Sequence, residues 1–483
     1  MNLVGEFIRL EQAADMFSIR ECAIPIWWFI RQRAYALLWQ KVTGIDHLEK
    51  TADSLGSFQA LGRGLGALGQ GLLRPYRSGE ILALSTSSAR RHVAENGQAF
   101  DVFFDFLSLV PDSDYAVMEF PDRLPHSVRP YSSKVFYGDW IAVRGNLARR
   151  FASRLSSRGA EVEIRDKFLE IARDIGVELS FRVADRLVSR EAAFVRATIP
   201  LARAAVDAIR PRTVLVECGY SPSHMVVQIA AKQVGIPVLE LQHGLISDQS
   251  LGYQFGIGND STLTDSPFPD KILVFGDHFK HLLMTNPYIR EDMIVSAGYP
   301  YLWLSLHEHQ NSSGAMNESI LITSQPGLGE FWSDFAVEVA RKAGRRVTIK
   351  PHPAEMDRIG SIFHNALSSG VVDVIADQSS LYELLSRAEF HLSVGSTSHL
   401  EAMAFGVKDI VVCAGGMEGQ FTFLKQLGLP FASNADEVVQ IMRNYPDIEP
   451  IKRYVGEKVF SLHKNPLEVM ASVIQRSMED SDR

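Results

Sequence analysis

Three cysteines in 483 residues are few, and Cys22, Cys218 and Cys413 stand too far apart to form a metal-ligand motif. That scarcity argues against a disulfide-stapled secreted scaffold, points to a reducing compartment and offers no zinc site. An excess of basic charge is missing as well: 49 Lys and Arg against 57 Asp and Glu leave a formal net charge of -8, without a long run of either sign. General nucleic-acid binding needs a concentrated basic surface, so no nucleic-acid partner is expected. Long apolar runs are also lacking. The most membrane-like stretch, IPIWWFIRQRAYALLWQK over 24–41, is interrupted by Arg31 and Arg33 and falls short of a span. The opening residues MNLVGEFIRLEQAADMF carry acids where a secretory signal needs bases, and the expected location is cytoplasmic. Trp27, Trp28, Phe29 and Trp39 beside Arg31 and Arg33 suit either peripheral contact with the inner face of the plasma membrane or a helix packed on its own domain.

With 46% apolar and 22% charged residues, the chain reads as globular and is long enough for two or three domains. Residues 1–75 have helical texture, and RPYRSGE over 74–80 closes them as a turn. Beyond it, short apolar runs alternate with amphipathic segments, the pattern of strand and helix units around parallel sheets. ILALS (81–85), YAVMEF (115–120), TVLVE (213–217) and PVLELQ (237–242) read as strands of a first sheet. KILVFG (271–276), MIVSAG (293–298), SILITS (319–324), RVTIK (346–350), VVDVIA (371–376), FHLSVG (390–395) and DIVVC (409–413) read as strands of a second. The expected organisation is a helical segment over 1–75, an acceptor-side α/β domain over 76–258 and a donor-side α/β domain over 259–483. A long helical stretch is expected over 160–209.

Two motifs mislead. GLGALG over 64–69 matches G-x-G-x-x-G literally, but no strand precedes it, as a dinucleotide fingerprint requires. Asp112-Ser113-Asp114 is a D-x-D that comes before a strand rather than at its end, which suits a turn better than a metal site.

Four stretches at strand ends carry chemistry, because open α/β sheets bind ligands where loops leave the carboxyl ends of strands. ELQHGLIS brings His243 to such an end, where an imidazole can act as general base or hold an anion. TSQPGLGE supplies Thr323, Ser324 and Gln325 with glycines that admit close backbone approach to oxygens. RVTIKPHPAE ends on Lys350 and His352, with Pro351 and Pro353 restricting the backbone around the imidazole, a plausible phosphate clamp. SVGSTSHLEAMAFGV places Ser396, Thr397 and Ser398 at a helix start with Glu401 one turn on, which fits anion binding or a Ser398-to-Glu401 capping box.

These motifs, together with PIWWFIR, LALSTSSARRHVAENGQAFDVFFDFL and AGYPYL, resemble the GT-B glycosyltransferase superfamily. The likeness is greatest to its bacterial surface-polysaccharide branch: capsule glycosyltransferases, HP-motif sialyl- and Kdo-transferases, and teichoic-acid glycerophosphotransferases. It implies two Rossmann-like open parallel sheets facing across a cleft. It implies no cofactor beyond a nucleotide-sugar donor, CMP- or UDP-linked, and a glycan or lipid-linked acceptor. His352 would contact a donor phosphate, Ser396, Thr397 and Ser398 would cradle its oxygens, and Glu401 would hold the ribose or base. His243 would stand near the reacting centre. The family's acidic base motif has no clear match, and Glu217 in VECGYS is the substitute. Fixed N–H groups, Lys350 and His352 would stabilise the leaving phosphate without a metal. A sugar-nucleotide 2-epimerase and a non-catalytic polysaccharide-assembly protein share the architecture and remain alternatives.

Overall fold

In the computed structural model the described residues are 3–43, 78–93, 97–111, 113–122, 126, 129–132, 134–152, 159–258, 263, 266–310, 319–375, 380–414 and 421–481. GLGALG, Asp112 and the whole segment 44–77 lie outside them.

Two helices open the chain, α1 (Leu3–Ala13) and α2 (Trp27–Thr43). Trp27, Trp28, Phe29, Ile30 and Arg31 are buried. Arg31 is held by Glu11, whose carboxylate accepts from Arg31 Nη2 at 2.8 Å, Arg31 Nε at 3.1 Å and Trp27 Nε1 at 2.8 Å. Arg33 meets Glu191. Trp27 and Trp28, which suited a membrane surface, are therefore core residues, and Trp39 is half-buried against the same core. Among the described residues no helix is long and apolar enough to cross a membrane.

The first sheet has seven parallel strands: β1 (Ile81–Thr86), β2 (Tyr115–Phe120), β3 (Val135–Tyr137), β4 (Thr213–Val216), β5 (Val238–Leu241), β6 (Lys271–Val274) and β7 (Ile294–Ser296). Their order is β7-β6-β5-β4-β1-β2-β3. The near-continuous apolar runs follow from this arrangement, because a parallel sheet is covered on both faces. The second sheet has six: β8 (Ser319–Thr323), β9 (Val347–Lys350), β10 (Val372–Val374), β11 (Ala388–Ser393), β12 (Lys408–Val412) and β13 (Phe431–Ala432), ordered β10-β9-β8-β11-β12-β13. The architecture is the expected one: two open parallel α/β sheets in tandem behind a helical N-terminal region.

One boundary is corrected. KILVFG and MIVSAG form β6 and β7 of the first sheet, Ile272 pairing with Glu240 on one side and with Ile294 on the other. The chain changes sheets between Ser296 and Ser319, not near 258. Short apolar strands read alike in either sheet, and only pairing tells them apart. The last helix, α-helical over Pro466–Ser481, returns to the first sheet, where Ser477 Oγ lies 3.4 Å from Thr213 Oγ1 at the start of β4. The stretch over 160–209 is two helices, Gly159–Asp174 and Phe181–Ile209, separated at Gly176 with φ of +85°.

Strand order locates the crevices. In the first sheet the direction of winding reverses between β1 and β4, and in the second between β8 and β11. Ligands of open α/β sheets bind at such switch points. Glu217 follows β4, while Thr323 ends β8 and Ser396 follows β11.

Candidate functional site

In the second sheet, Thr323 is a hub. Its hydroxyl lies 2.9 Å from His391 Nε2, 2.9 Å from Ser393 Oγ and 2.8 Å from Ser398 Oγ. This ties the end of β8 to the end of β11 and to the helix Ser398–Ala404, across the switch point. Gln325 Nε2 turns back onto the Thr323 carbonyl at 3.0 Å and onto Ser393 Oγ. Thr323, Ser324, Gln325 and Ser398 are all buried, whereas Ser396 and Thr397 are half-buried.

The capping box does not form. Ser398 gives its hydroxyl to Thr323, and Glu401 instead accepts from the Tyr382 hydroxyl at 3.0 Å. Burial, followed by the nearby Glu401 charge, raises the Tyr382 phenol well above its ordinary value, so it stays a donor. Tyr382 stacks on Tyr301, ring centres 4.9 Å apart, and Tyr301 stacks on Phe100 beside the first sheet at 6.2 Å. Glu401 thus sits at the end of an aromatic ladder that joins the two halves.

Lys350 and His352 are half-buried at the end of β9. Pro353 opens a short helical turn over Pro353–Arg358. The backbone N–H of His352 donates to Glu355 at 3.2 Å, and Glu355 N–H returns to the His352 carbonyl at 2.8 Å. The same carboxylate accepts the Ser324 hydroxyl. Burial raises the Glu355 pKa above its ordinary value, against the opposing pull of Ser324 and of the His352 amide. So Glu355, the last letter of RVTIKPHPAE, clamps that loop to TSQPGLGE. It was not among the expected site residues.

Beneath this edge lies a buried chain. His391 Nδ1 is 2.6 Å from Asp409 Oδ1, and His399 Nδ1 is 2.8 Å from Asp409 Oδ2. The three residues bring ligand-type atoms within 4.8 Å of one another. Separations of 2.6 to 3.0 Å are hydrogen-bond lengths; two ligands of a tetrahedral metal with bonds near 2.0 Å would stand about 3.3 Å apart. Hydrogen bonding accounts for the group.

In the first sheet, His243 lies just past β5, half-buried, its Nε2 3.2 Å from the Tyr220 hydroxyl. Gln242 explains the rest of QHG: its side-chain nitrogen donates to the Gly244 carbonyl at 2.8 Å and its oxygen accepts Phe275 N–H at 2.8 Å, fastening the turn to the strand beside it. Glu217 is buried at the end of β4. Behind it stands Glu240, fully enclosed, accepting Gly219 N–H at 3.0 Å and the Tyr253 hydroxyl at 2.8 Å. A Cβ at position 219 would lie 2.5 Å from Glu240 Oε2, so any other residue there would displace the carboxylate. Burial pushes the Glu240 pKa up to about 7 despite both hydrogen bonds.

A further cluster flanks β2. His126 bridges Glu119 and Asp139, at 2.5 and 2.7 Å, and stacks on Tyr137. Burial opposes its charge, but the two carboxylates prevail and raise it to about 9. Glu119 also accepts from Arg90. Sequence reasoning missed Glu119 and Glu240; the available signal was a carboxylate inside an otherwise apolar strand, which must be paired or neutral.

No protein-family model matches the chain, and no curated protein matches it. Several solved structures do. UDP-GlcNAc 2-epimerase of Methanocaldococcus jannaschii, in complex with UDP-GlcNAc and UDP, is 11% identical with a TM-score of 0.49, the match covering 82% of this chain and 99% of that one. UDP-GlcNAc 2-epimerase of Neisseria meningitidis is 13% identical with a TM-score of 0.48 over the same shares. The wall teichoic acid polymerase TagF is 8% identical with a TM-score of 0.46, covering 88% of this chain and 99% of its own. Likeness at this level leaves the chemistry to the residues of the site.

Proposed function

We propose that the chain is a glycosyltransferase that takes a nucleotide-activated sugar and builds a bacterial cell-surface polysaccharide or its lipid-linked precursor. One observation carries the reading: the polar motifs of β8, β9 and β11 converge on one switch-point edge and are cross-linked there by Thr323–Ser398 and Ser324–Glu355. Such an edge is preorganised for phosphate oxygens, since its hydroxyls and N–H groups are held before a ligand arrives. Lys350 supplies positive charge and the His352 ring a hydrogen-bonding group for the leaving nucleotide without a metal. Ser396 and Thr397, more exposed than Ser398, offer the hydroxyls that meet its oxygens, and Glu401 takes the ribose or base. Across from them, His243 and Glu217 share the acceptor side, one removing the proton of the acceptor hydroxyl as the glycosyl–phosphate bond breaks.

A thermal-shift screen against UDP, CMP, CDP and GDP conjugates tests the donor class, since a ligand of the folded state raises the melting temperature by mass action. Product analysis with and without a glycan acceptor then separates transfer from 2-epimerisation. Absence of a shift with every one of these nucleotides removes the reading.

A further inference from the structure

We infer that His391 and Asp409 are positioning residues for the segment 396–398, acting on it through the hydroxyl of Thr323. The inference rests on the reading of that segment as part of a nucleotide-donor site.

Hydrogen direction along the buried chain can be worked out atom by atom. Asp409 is an ionised carboxylate: burial opposes this, but its two imidazole neighbours bring its pKa below the ordinary value. A carboxylate only accepts, so His391 Nδ1 and His399 Nδ1 both carry hydrogens and point them at it. Burial lowers the pKa of His391, which is therefore a neutral ring with a lone pair on Nε2. The Thr323 hydroxyl, 2.9 Å away, must donate into that lone pair. Having one hydrogen, it can then only accept from Ser398 at 2.8 Å. Ser393 donates to the Thr323 carbonyl at 2.9 Å and accepts from Gln325. The result is a one-way chain, Ser398 to Thr323 to His391 to Asp409; the competing direction, in which Thr323 donates to Ser393 Oγ at 2.9 Å, leaves the His391 lone pair without a hydrogen.

The consequence reaches the surface. The Ser398 hydroxyl is committed inward, and this fixes the start of its helix on the end of β8. Ser396 accepts the Ser398 N–H at 3.2 Å, so its own hydroxyl hydrogen is the one that remains to be given to an anion. Asp409 and His391 are fully buried beneath the edge; His391 reaches the segment through Thr323, and Asp409 reaches it both through that chain and through His399, the residue after Ser398.

The test uses the full chain and three forms: wild type, Thr323→Val, which keeps shape but removes the hydroxyl, and Thr323→Ser, which restores it. Calorimetric titration with UDP, CMP, CDP and GDP is paired with amide hydrogen exchange over 396–400 on unliganded protein. Thr323→Val is expected to weaken the best nucleotide by about tenfold, the size of one buried hydrogen bond, to raise donor KM rather than lower kcat, and to speed exchange in the segment. Thr323→Ser is expected to restore most of both losses. Asp409→Asn, which removes the charge and sets an amide NH2 where one of the carboxylate oxygens now accepts, should act in the same direction as Thr323→Val. Equal behaviour of the Val and Ser forms in both measurements overturns the inference. Should wild type bind none of the nucleotides, the donor reading falls. Hydrogen exchange then decides alone: unchanged protection in Thr323→Val overturns the positioning role, and lost protection upholds it for a ligand of another class.

Discussion

The hydroxyl of Ser324 donates to the carboxylate of Glu355, and that carboxylate also receives the backbone N–H of His352 at 3.2 Å. One buried side chain thus sets the distance between the loop after β8 and the loop after β9. Glu355→Ala leaves the Ser324 hydroxyl and the His352 amide without their acceptor, a cost of about 1–3 kcal/mol for each group that stays buried. We expect a clear fall in melting temperature together with loss of nucleotide response. Glu355→Gln can keep an uncharged oxygen where both donors meet and should fall between. Melting curves of the two variants that overlay wild type would remove the clamp.

His352→Ala separates binding from folding. The imidazole is half-buried, and the backbone of this loop is held by Glu355 through the His352 N–H and carbonyl. The expected outcome is loss of the nucleotide-induced thermal shift with the unliganded melting temperature little changed. Undiminished nucleotide affinity would withdraw His352 from the donor site.

On the other sheet, His243 and Tyr220 form a pair at 3.2 Å. If His243 takes the acceptor proton, His243→Ala should lower kcat by roughly 10²–10⁴, the usual range for a lost general base, and leave donor affinity in place. Tyr220→Phe removes only the orienting hydroxyl and should cost far less. Turnover that survives His243→Ala and collapses in Glu217→Gln would transfer the base role to Glu217.

The buried ion pair of Arg31 and Glu11 yields a stability prediction. Glu11 serves Arg31, Trp27 and the Gly256 N–H together. Removing it in Glu11→Ala strands a buried guanidinium, an effect of about 3–5 kcal/mol. Urea unfolding should register that loss, and a midpoint within experimental error of wild type would contradict the burial seen here.

How far the sequence foretold this molecule varies with the kind of feature. Strands such as YAVMEF and TVLVE are legible because burial on both faces leaves a near-continuous apolar run. Val135–Tyr137 and Phe431–Ala432 were not, being too short for any period to emerge. The placing of β6 and β7 depended on pairing between distant segments, which local pattern does not carry. Thr323, Ser324, Gln325 and Ser398 were singled out as a group that meets a ligand. The structure brings them together, buried and hydrogen-bonded to one another. Glu355, Asp409 and His391 escaped notice because their partners lie 31, 18 and 68 positions away.

Glu240 offers a pH test with a definite sign. Its carboxyl is enclosed beside Gly219 and Tyr253, and burial raises its folded pKa to about 7 from an ordinary 4.5. A group with a raised folded pKa holds its proton more tightly when folded. Its contribution to stability is complete below about pH 4.5 and is lost as pH rises through about 7, a swing on the order of 3 kcal/mol. Glu240→Gln cannot ionise, yet its amide oxygen can still accept Gly219 N–H. Its stability relative to wild type should therefore climb between pH 5 and pH 8 and level off above. Unfolding free energies of the two proteins, measured in urea at half-unit steps across that window, decide the matter: curves that run parallel would mean that Glu240 titrates no differently in the folded chain than in the unfolded one.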